Sequence, residues 1–132
     1  MTVKTITSSF SAQCHYTVHF VNGAFSGTEQ GLIEVLKQAG AKQDSWRLIF
    51  FIDNGFADAW PQLIEQINQW AAKFSRVELI TQPTVMLGGE ACKKGLTYVE
   101  QALAVLSDNS VDRHSYVVAI GGGAFLLSLI HI

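Results

Sequence analysis

The stretch Tyr116-Val117-Val118-Ala119-Ile120-Gly121-Gly122-Gly123-Ala124 decides the fold class. A short apolar run rich in β-branched residues is the pattern of a buried strand. Glycines at 121, 122 and 123 follow it without a break. Glycine permits positive φ and lets another surface approach with no Cβ in the way. A buried strand running into such a turn, with a helix next, is how many α/β proteins build a phosphate cradle. By itself the run is a weak dinucleotide signal, because G-x-G-x-x-G would need glycine where Leu126 stands. A tight turn that holds no ligand fits it too.

Upstream of this stretch, strand and helix patterns alternate. Trp46-Arg47-Leu48-Ile49-Phe50-Phe51-Ile52 is nearly all apolar, as suits a strand covered on both faces of a parallel sheet. It ends at the polar turn Asp53-Asn54-Gly55. Phe56, Trp60, Leu63, Ile67, Trp70 and Phe74 then recur at helical spacing, with Pro61 either inside the first turn or marking the true helix start. Residues 76–81 give another strand, broken at Gln82-Pro83, and residues 84–87 a short extended piece. Gly88-Gly89-Glu90-Ala91-Cys92-Lys93-Lys94 leads into a helix whose core face is expected to carry Leu96, Val99, Leu103 and Leu106. Residues 107–115 form a polar loop before the final strand.

Nearer the start, residues 3–10 alternate loosely, as an edge strand would. Residues 16–21 do so better, with Tyr16, Val18 and Phe20 on one face and Thr17 and His19 on the other. Asn22-Gly23 reads as a turn. Ser26 or Thr28 is expected to cap a helix through Ala39, with Leu32, Ile33, Leu36 and Ala39 buried and Gly40 as its stop. Strands alternating with helices argue for one α/β domain with a mostly parallel sheet.

Composition narrows the class. The chain has 132 residues, 48% of them hydrophobic and 15% charged, which is enough for a real core and too apolar for disorder. A net charge of −2 gives no argument for nucleic acid or an acidic membrane as partner. No signal peptide or membrane-spanning run is present, so a cytoplasmic location is expected. Cys14 and Cys92 lack metal-ligand spacing and read as free, buried or partly buried thiols.

Candidate site groups carry two readings each. Asp53 at a strand end either accepts hydrogen bonds from a ribose or caps the next helix. Glu90 and Lys93 share one face of a first helical turn, as a ligand clamp or as a solvated pair. Asp112-Arg113-His114 reads as loop chemistry with a surface ion pair. His15 and His19 cannot converge on a metal from one strand, and no catalytic triad or zinc set is evident.

Taken in order and spacing, these pieces resemble the N-terminal domain of the dehydroquinate synthase family, nearest its sugar-phosphate-cyclase-like branch. The residues that carry the likeness are Asp53-Asn54-Gly55, Gly88-Gly89-Glu90-Ala91-Cys92-Lys93, and the run from Asp112 to Ala124. The resemblance covers residues 16–126 and implies a Rossmann-like NAD-binding domain. It implies that Asp53, with Asn54 and Gly55 beside it, that Glu90 and Lys93, and that Gly121, Gly122, Gly123 and Ala124 contact NAD. Gly55 departs from the family, which usually has a polar residue there. The family oxidises a sugar-phosphate hydroxyl, eliminates phosphate, reduces the ketone and closes a ring, so that NAD is regenerated. Its metal ligands, a glutamate and two histidines holding zinc or cobalt, belong to a C-terminal domain that this sequence lacks, so no catalytic or metal residue is assigned here. A sugar phosphate is the implied substrate and a homodimer the implied assembly.

The tail departs from the family too, with Leu127 where an aspartate is expected. Residues 127–132 match one reading frame of a transposon-end sequencing adapter. The expectation is a domain over residues 1–126, truncated and inactive alone, followed by a non-native tail. Two other readings stand beside it: the NAD-binding domain of a metal-dependent alcohol or glycerol-phosphate dehydrogenase, and a non-catalytic α/β binding domain.

Overall fold

The computed structural model describes residues 2–28, 30–86 and 96–130, with side chains left out of account at 96–99. Its centre is β1 (Trp46–Asp53), in which Leu48, Ile49, Phe50, Phe51 and Ile52 are all fully buried. A strand can be buried on both faces only if layers cover both, and β1 sorts its side chains accordingly. Trp46, Leu48, Phe50 and Ile52 pack with Ile33 and Leu36 of α1 (Leu32–Ala39) and with Leu63, Ile67 and Trp70 of α3 (Leu63–Lys73). Ile49 and Phe51 pack on the other face with Ala102 of α4 (Leu96–Asp108) and Phe125 of α5 (Gly123–Ile130). Each buried Leu, Ile or Phe among them contributes about 1.5–3 kcal/mol through burial. The result is an α/β domain with an open parallel sheet flanked by helices.

Register fixes the strand order. Leu48 is partnered by both Leu79 and Tyr116, and Ile52 by both Val85 and Ile120. A strand has two edges, so β4 (Tyr116–Ile120) occupies one edge of β1. β2 (Val77–Leu79) and β3 (Thr84–Met86) follow each other along the other edge, and all three pairings are parallel. The break between β2 and β3 contains Gln82-Pro83, where proline removes a ladder donor. The connection after β1 runs over the α1/α3 face to β2. The connection after β3 returns over the α4/α5 face, past β1, to β4.

Several sequence expectations need correction. Residues 3–10 and 16–21 form no strand, and Phe10, Tyr16 and Phe20 are at least 90% exposed. Alternation supplies a face but not a partner strand, and none lies beside them. Neither Ser26 nor Thr28 caps α1; their hydroxyls bond each other, and α1 starts after Gly31, at φ 78°, with no side-chain cap. A side chain at Gly31 would also strike the Ala24 carbonyl at 2.8 Å. Ala39 is exposed rather than buried.

The long helix divides into α2 (Asn54–Ala59) and α3, because Trp60 ends the first and Pro61 precedes the second. Phe56 and Trp60 are thereby left 43% and 47% exposed. On α4, Leu106 packs on the second core cluster as expected, whereas Leu103 is 46% exposed and Ala102, one position earlier, is fully buried in its place. Cys14 is an exposed free thiol, not a buried one. Helix α5 continues unbroken through Leu126 and Leu127, and Leu129 packs on the second core cluster. Among the described residues, no helix is long and apolar enough to cross a membrane.

Candidate functional site

The end of β1 and the end of β4 meet. Ile52 is the partner of Ile120, which sets Asp53 beside Gly121. A Cβ on Gly121 would lie 2.8 Å from Asp53 Cβ and 2.6 Å from Phe125 Cδ1. Glycine is therefore needed at 121 for the two strand ends and the first turn of α5 to close together. Its backbone is not in the left-handed region, so the requirement is space rather than φ.

Gly122 and Gly123 differ from it. A Cβ on either would meet nothing within 4 Å, and both are exposed. Gly122 accepts from the Leu126 N–H at 3.0 Å and so opens α5. The first-turn N–H groups of a helix have no intrahelical acceptor and carry the positive end of its dipole. Ala124 sits in that first turn, half-buried.

Asp53 is the one buried charged side chain among the described residues, 9% exposed. Its Oδ1 accepts from the Gly55 N–H at 2.8 Å, so it caps α2. Both readings of this residue remain chemically open, because a carboxylate accepts at two oxygens and the cap uses one. Asn54 is half-buried in the first turn of α2, and Gly55 is exposed. Glu90 and Lys93 lie outside the described residues, with the rest of the Gly88–Lys94 element.

This corner is also where the chain connections diverge. The helices after β1 cover one face of the sheet, and the helix after β4 covers the other. A crevice opens between two adjacent strands whose connections part in this way, outside their carboxyl ends. The sequence did not reveal that Asp53 and Gly121 are neighbours, since only the crossover of α4 places β4 against β1.

Asp112, Arg113 and His114 lie at the opposite end of the sheet. Asp112 Oδ1 accepts from the His114 N–H at 2.9 Å and the Ser115 hydroxyl at 3.0 Å, and its Oδ2 lies 3.9 Å from Arg47 Nη1. The Ser115 bond, then the His114 bond, then the Arg47 charge hold this carboxyl below its ordinary value. The triplet is loop chemistry, as its sequence suggests, with Arg47 as the ion partner.

No protein-family model, no curated protein and no solved structure matches this chain.

Proposed function

We propose that the crevice at the carboxyl ends of β1 and β4 binds a dinucleotide, and that the chain is the Rossmann-like NAD-binding domain of an enzyme resembling dehydroquinate synthase. The observation that carries this reading is the junction of Asp53 with Gly121, where the connections diverge. Open α/β sheets bind ligands at such points.

The residues present fit NAD. Gly122 and Gly123 leave clear the space that a Cβ would fill, so a pyrophosphate can approach the backbone N–H groups at the start of α5. Asp53 has one carboxylate oxygen beyond its cap for ribose hydroxyls, a charge-assisted hydrogen bond. Asn54, Gly55 and Ala124 border these groups, and Glu90 and Lys93 belong to the set through the family resemblance. NAD, when bound, supplies hydride chemistry; the chain supplies binding and orientation. The sugar phosphate and a zinc or cobalt ion would be held by the family's second domain.

Calorimetric titration of NAD into the folded chain tests the reading. Weak binding is expected in the wild type, with at least a tenfold loss in Gly122→Val because a side chain blocks backbone approach. Equal affinity in both, with circular dichroism showing both folded, would reduce the cradle to a turn.

A further inference from the structure

A cleft of about 280 Å³ runs along α3 and shares no lining residue with the glycine corner. One wall is the helix. Gln66, Gln69, Trp70 and Lys73 stand three and four apart, so they lie on one face of α3. The other wall is the loop Gly23-Ala24-Phe25-Ser26, and Trp60, which ends α2, completes the lining.

The walls are fixed within the fold. The Ser26 N–H donates to the Gly23 carbonyl at 3.0 Å, and the Leu32 N–H to the Ala24 carbonyl at 3.2 Å. Between them the Phe25 ring packs on Phe50 and Trp70, at 5.9 and 5.5 Å between centroids. The Trp60 backbone is held on both sides, its N–H on the Phe56 carbonyl at 2.9 Å and its carbonyl on the Leu63 N–H at 3.0 Å. Its indole is nevertheless 47% exposed. A pre-formed cleft binds a ligand without the cost of ordering its own walls.

The lining changes character along its length. Lys73 is the one charged side chain on it among the described residues, and no carboxylate lines it. The Lys73 ammonium rests against the loop, where a Cβ on Gly27 would lie 2.6 Å from Nζ. Gln66 stands about 10 Å back along the helix, toward Trp60. Gln69 Nε2 donates to Glu65 Oε1 at 2.9 Å, which leaves the Gln69 carbonyl oxygen as an acceptor.

We propose that this cleft binds a small organic anion of the arylalkyl carboxylate class, its ring on the Trp60 indole and its carboxylate on the Lys73 ammonium. An exposed indole held by a fixed backbone offers a flat face for an aromatic ring. A lone cation with no acidic neighbour on the lining favours an anion, through a charge-assisted hydrogen bond. The distance between the two ends calls for an alkyl spacer between ring and acid. The site is separate from the nucleotide crevice and does not rest on that reading.

Phenylpropionate, titrated into the whole chain, is the probe, and the indole N–H signals of the three tryptophans are the NMR readout. Trp60 and Trp70 should shift with one saturable affinity; Trp70 Nε1 is buried with no hydrogen-bond partner among the described residues, so its signal reports the cleft. Trp46, whose Nε1 donates to the Gly40 carbonyl at 3.0 Å, should not shift. Lys73→Met keeps the length of an exposed side chain and removes its charge. It should weaken binding by about tenfold or more, with the fold confirmed by circular dichroism and NAD affinity unchanged. Uncharged phenylpropionamide should bind the wild type as weakly as the acid binds the variant. Shifts that do not saturate, or that move all three tryptophans alike, overturn the proposal. Equal affinity for the acid and the amide overturns it without recourse to any variant. A Lys73→Met chain that keeps full phenylpropionate affinity, or loses NAD affinity, overturns it as well.

Discussion

The two ends of the sheet are built on opposite plans. At the amino end, side chains face one another and pair. Arg47 lies 3.9 Å from Glu78 on β2 and 3.9 Å from Asp112 before β4, joining both edges to the central strand. Gln43 accepts from the Tyr116 hydroxyl at 2.5 Å and donates to the His114 carbonyl at 3.1 Å, and Arg76 stacks 4.0 Å over the Trp46 ring. At the carboxyl end, side chains are withheld. Gly121 permits closure, Gly122 and Gly123 leave space, and Asp53 accepts from the Gly55 N–H. Groups that satisfy each other stabilise a fold and are closed to a ligand; backbone N–H groups beside empty space are available to one.

Breaking the glycine corner should have the largest effect. In Gly121→Val the new side chain overlaps Asp53 and the buried Phe125 ring. Overpacking of this kind costs about 1–3 kcal/mol, read as a lower urea midpoint. Because the same clash displaces Asp53, NAD binding should disappear with it. An unchanged midpoint would mean that the two strand ends do not close as described.

Asp53 separates its two roles by substitution. Asp53→Ala removes the cap, at about 1 kcal/mol of stability. It should also weaken NAD binding by roughly 1.5–3 kcal/mol, the worth of a charged hydrogen bond. Asp53→Asn should keep the cap, since Asn caps as well as Asp, yet still lose part of the binding. If Asn restores stability and affinity together, the carboxylate acts on the ligand only through the cap.

Gly122→Val sharpens the contrast with its neighbour. Its Cβ meets nothing, so stability should change by less than about 0.5 kcal/mol, as for a surface substitution, while binding is lost. A large drop in stability would show that the space is needed by the fold itself.

The smallest effects belong to the amino end. Arg47→Met breaks two exposed ion pairs and should change stability by at most about 1 kcal/mol, with NAD affinity untouched. The carboxyl of Asp112 is held below its ordinary value of 3.8 by the Ser115 and His114 bonds and by Arg47. A depressed carboxyl stabilises the fold above its unfolded value and loses that contribution as pH falls through its folded value. Wild type should therefore exceed Asp112→Asn in urea midpoint at pH 7, and the gap should close below about pH 3.8. A gap that persists at pH 2 would rule out the charged form as its source.

Sequence patterns were readable where local physics decides. The apolar run of β1, the break at Gln82-Pro83, and the strand before the glycines all stand where their residues put them. Pro61 suits either an early helical position or a helix start, and the chain divides there. Where position depends on a distant partner, the pattern misled. Residues 16–21 alternate like a strand and pair with nothing in their own chain. On α4, Leu106 packs on the core, but the sheet takes the smaller Ala102 against Met86 and Phe125 while Leu103 stays exposed.

The candidate site divides in the same way. Its components are legible in short segments, a carboxylate ending one apolar strand and glycines ending another, because strand burial and glycine's missing Cβ are local properties. It takes the folded sheet to bring Asp53 against Gly121, to pack Gly121 while leaving Gly122 and Gly123 open, and to part the connections at this corner. Those facts follow from strand order, and strand order is set by which faces the crossovers cover, an interaction between residues far apart in the chain.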